Sequence, residues 1–526
     1  MQNKKIKKIF SSFLLFLMGF LLILSPLLLS ACSCNDETSS SIQVDPSFGG
    51  RSAYQFENIN GSNVRVETFY NSQNEAHCNN PNIGQAVMLN NAIRYKKAHP
   101  SEDVYATITS FHFSVVASVC LDEKSGNYLK MKSLYDTDTD NEGFVRIAYL
   151  PIMAAKIGVN VIAIGQIDAS SVWTPEGMKN DYSFEEYYNG YLDEESEIEG
   201  KKISDFLVFR ACKWTSYGDK SATDMMHLKS SSVSHSRDFN GIDHGPAIWL
   251  GSINLDGVDS NGVNGNNNIQ TAVIVSEHKE LRNALYNYTK IMADYCEQED
   301  VYEFRQKINL MNKNQIDLIL SGKENQIPVG EQIVYLGGES DKIFELYLTP
   351  LGGSVNDWDE RYNPYAKYIS KLLPQNNGAN NEITFAWGSA KYKDDSEFSK
   401  TLTHVLLKAF KDNTSGSNRL FLHLYDSEDQ LDYSMFDSLV VGQNMSFKKF
   451  GGPAYHSKDF QLSYVENGTR YYVSVFNSLN FHQGSSAYQS NSFLVIKEFK
   501  EIGNNVYTDV GNFLSCGAIN EHGRIK

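Results

Sequence analysis

Cysteine is scarce in this chain, with seven residues in 526, and it follows no pattern. Beyond Cys32 the cysteines are Cys34, Cys78, Cys120, Cys212, Cys296 and Cys516, with no C-x-x-C pair among them. That spacing excludes a zinc ribbon and a disulfide framework, and leaves room for one isolated bridge. G-x-x-x-x-G-K-[ST] and G-x-S-x-G are absent, which removes P-loop nucleotide hydrolysis and elbow-type acyl transfer. H-E-x-x-H is absent too, so His235 and His244 read as loop histidines. Asp136-Thr137-Asp138-Thr139-Asp140 imitates the start of a calcium loop. Asn141 then takes the place of the turn glycine and Ile147 that of the bidentate glutamate, so an acidic loop is the better account.

Positive charge is also short: 47 Lys and Arg stand against 63 Asp and Glu, a net charge of −16. The long apolar run is Ile9 to Leu29, preceded by Lys4, Lys5, Lys7 and Lys8. This is the layout of a secretory signal. The run is long enough to span a bilayer, so an uncleaved anchor competes with that reading. Leu29-Ser30-Ala31-Cys32 resembles a bacterial lipobox and decides between the two. It predicts removal of residues 1–31, acylation of Cys32, and a protein held through lipid on the extracytoplasmic face of the cell membrane. Removing four lysines and no acid leaves 47 − 4 = 43 bases against 63 acids, or −20. Broad polyanion binding is disfavoured by that charge, and any phosphate site must be a local positive pocket.

What the chain does contain is an internal duplication, the first feature to seek in a sequence of this length. His227-Leu228-Lys229 recurs as His456-Ser457-Lys458, an offset of 456 − 227 = 229. Gly251-Ser252-Ile253-Asn254 recurs as Asn477-Ser478-Leu479-Asn480, an offset of 480 − 254 = 226. Polar stretches follow in both copies, Asn268-Ile269-Gln270 and Ser490-Asn491-Ser492, with the Asn residues offset by 491 − 268 = 223. On a strand, a His and a Lys two positions apart share a face. Both could then reach one phosphate, the imidazole as nucleophile or acid and the ammonium as fixed charge.

The doubled order H-x-K, G-S-x-N resembles the phospholipase D superfamily. Two departures stand out: Ser234 and Ser463 occupy the places of the motif aspartates, and Asn477 that of the second glycine. The resemblance implies an α/β fold of two pseudo-symmetric lobes sharing one active site. It also implies phosphodiester hydrolysis through a phosphohistidine, with neither metal nor cofactor and no obligate protein partner. His227 is the expected nucleophile and His456 the acid, with Lys229, Lys458, Asn254 and Asn480 on the phosphoryl oxygens. Ser252, Gln270, Ser478 and Asn491 are expected to bind substrate. Phospholipid is favoured slightly over nucleic acid by the tether and the net charge. A non-catalytic surface-binding lipoprotein remains as a reading, since Ser234 and Ser463 could record lost catalysis.

Residues 32–53 are rich in Ser, Asp and Gly and read as a flexible tether. Lobe one is expected over residues 54–325 and lobe two over 326–526. Alternation predicts strands at Val64–Tyr70, Val104–Phe113 and Val159–Ile164, with helices at Ile83–Lys97 and Val145–Ile157. In the second lobe it predicts strands at Phe344–Leu348, Glu382–Trp387 and Arg419–Leu424, with helices at Tyr365–Leu373 and Phe398–Phe410. This βαβ order favours mostly parallel sheets flanked by helices. Asp181 to Glu199, with eight carboxylates and no base, reads as a surface insertion or a lid, and Asn312–Gly338 as a polar connector.

Overall fold

The computed structural model describes residues 41–70, 81–111, 113, 118–120, 144–166, 184–212, 226–255, 270–298, 301–351, 359–371, 382–387, 419–425, 445–450, 458–466, 469–479 and 489–501. The signal segment, Cys32, the Asp136–Asp140 loop, Asn268, the expected helix Phe398–Phe410, His456 and Asn480 lie outside the described residues.

In the first half the chain forms β1 (Ser41–Val44), β2 (Ser52–Ile59), β3 (Ser62–Tyr70), α1 (Asn82–Ala98), β4 (Tyr105–Ser110), α2 (Leu150–Lys156) and β5 (Asn160–Gln166). There follow β6 (Leu207–Cys212), β7 (Ser230–Val233), β8 (Ala247–Gly251), β9 (Thr271–Ser276), α3 (Lys279–Gln298) and α4 (Val301–Leu320). The second half has β10 (Phe344–Leu348), α5 (Pro364–Ser370), β11 (Glu382–Trp387), β12 (Arg419–Tyr425), β13 (Met445–Phe450), β14 (Phe460–Glu466), β15 (Thr469–Asn477) and β16 (Ser492–Glu501).

Two large sheets result. The first runs β1-β2-β3-β9-β8-β7-β4-β5-β6 and the second β10-β16-β15-β14-β11-β12-β13. From β3 onward the first sheet repeats the second strand for strand, β3 answering to β10 and β6 to β13. The senses repeat as well. Only β4/β5, β5/β6, β11/β12 and β12/β13 are parallel, and the other pairings are antiparallel. The expectation of mostly parallel sheets is therefore corrected to mixed ones. In the first half the helical crossover α2 makes β4 and β5 parallel neighbours, whereas the later strands of both halves fold back on each other. Between β14 and β15 the return takes just residues 467–468.

Strands β8 and β9, which flank the first S-x-N, are buried on both faces, which explains their apolar runs. One core lies between β4, β5, β8 and the helices α1 and α2. The other is shared by the two sheets, where Ile248, Leu250 and Val273 meet Leu346, Phe476 and Leu494. Helices α3 and α4 seal it with Leu281, Leu285, Tyr288, Met292 and Phe304, each large apolar side chain contributing about 1.5–3 kcal/mol. Of the polar connector expected over Asn312–Gly338, residues 312–320 are instead the second half of α4. Asn312 is buried there because its Nδ2 caps the carbonyls of Leu348 and Pro350 at 2.8 and 2.5 Å.

The tether expectation is also corrected over residues 41–53. β1 pairs antiparallel with β2, and Phe48 is buried in the first core. The anchor is Glu67 on β3, whose buried carboxylate accepts the N–H groups of Ser47, Phe48 and Gly50. Ser41 Oγ donates to Glu498 Oε1 at 2.7 Å, so β1 touches the second sheet as well. Among the described residues, Cys212 at the end of β6 and Cys296 in α3 form a disulfide, as the irregular spacing left room for. Within the acidic insertion a short helix, Phe184–Asn189, plants Tyr188 in the core with its hydroxyl on Ala148 O at 2.7 Å. Glu194, Glu195, Glu197 and Glu199 stay in solvent or at its edge.

Candidate functional site

The first H-x-K does not lie within a strand, as its alternation suggested. His227 to Lys229 form the extended lead into β7, which begins at Ser230. They are straight because they pair with the other half of the chain. Met226 bridges Ser490 in parallel, and His227 N–H donates to Ser490 O at 3.0 Å. Leu228 points into the shared core, which leaves His227 and Lys229 on the opposite side.

His227 Nδ1 lies 2.8 Å from Asn491 Oδ1. Ser478 Oγ accepts Ser492 N–H and donates to Asn491 Oδ1, each at 3.1 Å. The amide oxygen thus faces the ring, Nδ1 carries the hydrogen, and Nε2 of the neutral imidazole keeps its lone pair. Lys229 Nζ donates to His227 O at 2.8 Å. Phe111, just past β4, packs on both, with its ring 5.2 Å from the His227 ring and 5.4 Å from Lys229 Nζ. It escaped sequence reasoning because it sits outside every motif, and its one signal was its place directly after an apolar strand.

The S-x-N serines have the same structural role in both halves. Ser252 N–H donates to Thr271 O and Thr271 N–H to Ser252 Oγ, at 2.9 and 3.0 Å. Ser478 and Ser492 repeat the exchange at 3.1 and 3.1 Å. Ser252 Oγ then reaches Gln270 Oε1 at 2.7 Å, as Ser478 Oγ reaches Asn491 Oδ1. Gln270 is therefore the counterpart of Asn491, an offset of 491 − 270 = 221. The pairing of Asn268 with Asn491 made from sequence is corrected, because the two connecting loops differ in length.

Asn254 follows β8 with its amide oxygen buried and, among the described residues, unpartnered by protein. Its carbonyl accepts Asn82 Nδ2 at 3.0 Å, and Asn82 Oδ1 accepts Gln85 Nε2 at 2.7 Å. Gln85 Oε1 in turn receives Ser231 Oγ at 2.6 Å, so a buried chain from β7 through α1 supports the loop. Lys458 is buried, and burial draws its ammonium down to about 7 against the opposing pull of Asp459. The structure therefore brings His227, Lys229, Ser478 and Asn491 together across the two halves, and places Ser252, Gln270, Asn254 and Lys458 at the same ends of their sheets.

Ser234 is not among them. It stands at the far end of β7, about 20 Å along the chain at ~3.3 Å per residue, where its Oγ accepts Tyr105 N–H at 3.0 Å. A missing aspartate there takes no group away from His227. His235 and His244 lie at that same end. His235 stacks on Tyr95 at 4.9 Å, and His244 sits between Asp238 and Glu277 at 3.3 and 3.6 Å. The hydrogen bond to Glu277 chiefly holds the His244 imidazole above its ordinary range.

No family model matches the chain, and no curated protein does. Solved structures resemble it at low identity. A phosphatidylserine synthase from Haemophilus influenzae Rd KW20 shares 8% identity at a TM-score of 0.45, over 92% of this chain and 88% of that one. A yeast tyrosyl-DNA phosphodiesterase mutant shares 10% identity at a TM-score of 0.36, over 82% and 90%. Likeness of this extent bears on neither substrate nor chemistry.

Proposed function

We propose that the chain is a phosphodiesterase whose two H-x-K motifs serve one site between pseudo-symmetric halves. The observation that carries this reading is the His227–Asn491 hydrogen bond. It joins the first copy of the motif to the trailing motif of the second copy, and it aims a lone pair rather than a proton outward from Nε2.

In the proposed reaction His227 Nε2 attacks phosphorus, and the P–O bond to the leaving alcohol breaks as His456 protonates that alcohol. His456, now neutral, takes a proton from water. The hydroxide attacks phosphorus, the P–N bond breaks, and His227 is restored. Lys229, Lys458, Asn254 and Asn480 hold the charge that develops on the phosphoryl oxygens. The desolvated Lys458 suits that task, and Asn254 serves it through its Nδ2 donor, its buried Oδ1 being an acceptor. No step in this scheme calls for a metal.

We assign the protein to the outer face of a membrane through acylated Cys32, and the Cys212–Cys296 bridge accords with an oxidising compartment. The proposed substrate is a phospholipid. A charge of −20 on the cleaved chain costs a polyanion more than a zwitterionic headgroup.

His227→Ala and His456→Ala should each lower turnover of bis-p-nitrophenyl phosphate more than about a hundredfold. Activity surviving both changes refutes the mechanism, and a wild type inert on phosphodiesters points to a binding lipoprotein. For the substrate, residues 33–526 should release choline from phosphatidylcholine vesicles and leave single-stranded oligonucleotides intact. Oligonucleotide cleavage that weakens steeply with salt, with no choline released, would overturn the lipid assignment.

A further inference from the structure

Asn477 marks the point where the second copy breaks its motif, and it takes part in a different set of bonds from its counterpart Gly251. In the first half, Gly251 N–H donates to Lys229 O at 3.3 Å. In the second half the equivalent carbonyl, that of Lys458, receives the Asn477 side chain instead, Nδ2 to O at 2.6 Å. The Asn477 backbone N–H goes to Asp459 Oδ1 at 3.3 Å. Asp459 stands where the first half has Ser230, whose hydroxyl bonds only locally, to Thr109 Oγ1 at 2.8 Å. The other oxygen of Asp459 accepts Thr271 Oγ1, at the head of β9 in the opposite half. Tyr365 OH, 3.3 Å from Asn477 Oδ1, holds the amide from its other end.

Space explains why each half keeps its own solution. A Cβ on Gly251 would meet Trp249 at 2.7 Å and Ala272 at 2.9 Å, so no side chain fits there. At the counterpart of Trp249 the second sheet has the smaller Val475. The side chain that the first half must exclude is thereby admitted in the second.

We propose that Asn477 and Asp459 are a coupled pair of positioning residues, which hold Lys458 in the site and tie it to the first half through Thr271. Asp459 draws off the backbone N–H that would otherwise hold the lysine carbonyl, and the Asn477 side chain replaces that bond. Neither departure works without the other. Asn477→Gly alone strands the Lys458 carbonyl, and Asp459→Ser alone strands the Asn477 N–H. Made together, they recreate the Gly/Ser arrangement of the first half.

The kinetic consequence rests on the phosphodiesterase reading above. With bis-p-nitrophenyl phosphate, Asn477→Gly and Asp459→Ser should each lower kcat about tenfold, the rate equivalent of one hydrogen bond, with KM within about twofold. The double variant restores the bond to the Lys458 carbonyl and forgoes only the tie to Thr271, so it should recover to within about threefold of wild type. A double variant slowed by the product of the single losses would show two independent defects and overturn the coupling. Single variants with a lowered unfolding temperature but unchanged kcat would make the pair merely structural and overturn the positioning role, while the phosphodiesterase reading stood. A wild type inert on the ester would overturn that reading and the kinetic role with it.

Discussion

Replacing Asn491 with leucine isolates the contact on which the site is built. The side chains are similar in size, so packing changes little, but the acceptor for two buried donors disappears. His227 Nδ1–H and Ser478 Oγ–H both end on Asn491 Oδ1 at 2.8 and 3.1 Å. Among the described residues the acceptor that faces the Ser478 hydroxyl is Asn491 Oδ1. An unsatisfied buried donor costs about 1–3 kcal/mol, so the pair sets a loss of roughly 2–5 kcal/mol in unfolding free energy. Urea titration of wild type and Asn491→Leu, followed by circular dichroism, measures it. The kinetic effect should be larger in proportion. With no acceptor at Nδ1 the ring can rotate and populate the tautomer that puts its proton on Nε2. Losing tautomer control can cost about 10⁴-fold at a histidine whose partner is removed, so kcat should fall between about 10² and 10⁴-fold. Asn491→Asp supplies the contrast, since a carboxylate oxygen can accept both donors and should keep the ring oriented. If Asn491→Leu matched wild type in both stability and kcat, the assignment of His227 Nε2 as the attacking atom would be refuted.

Four further outcomes follow. The Cys212–Cys296 bridge spans a sequence separation of 84, for which chain entropy gives about 4.5 kcal/mol; reduction, or Cys212→Ala with Cys296→Ala, should lower the urea midpoint accordingly, and an unchanged midpoint counts against the bridge. Lys458 is charged only below about 7, because burial outweighs the help of Asp459; kcat/KM should therefore fall as pH rises through 7, and Lys458→Arg should remove that limb. The same depressed value means the unfolded chain binds the extra proton between about 7 and the ordinary lysine range. The Lys458 contribution to stability should accordingly rise with pH across that window, as the difference between wild type and Lys458→Met in urea will register. Turnover should survive prior incubation with EDTA, whereas loss restored by a divalent cation would contradict the phosphohistidine scheme.

Much of the architecture was legible in the sequence. Phe344–Leu348 and Glu382–Trp387 are strands with the bounds that alternation and β-propensity suggested, and α1 differs by one residue at each end from the helix read at Ile83–Lys97. Strand sense was not legible, because a strand buried on both faces shows the same apolar run whether its neighbours are parallel or antiparallel. Helices α3 and α4 went unread although Leu281, Leu285, Tyr288 and Met292 recur at helical spacing. At the site, the H-x-K and S-x-N positions stood out because they repeat. Gln270 was named as a binder but not as the counterpart of Asn491, since matching Asn with Asn set the alignment two residues away from the register that the hydrogen bonds define. Asp459 carries no motif signal at all. Its partner Thr271 lies 188 positions away, a juxtaposition that only the packed halves create.

The departures from the motif also sort by where they fall. Ser234 sits at the far end of β7, and its hydroxyl closes the edge of β4, so the exchange of aspartate for serine there leaves the His227 end untouched. Asn477 sits beside the lysine, where a simple loss would be felt, and there the change comes with a second change at Asp459 and a smaller neighbour in Val475. Each half has a buried lysine carbonyl to satisfy, and the second does so at 2.6 Å through the Asn477 side chain where the first uses the Gly251 N–H. Degeneracy read from the letters alone therefore overstates what has changed, because the letters record which residue makes a bond and the fold records whether the bond is made.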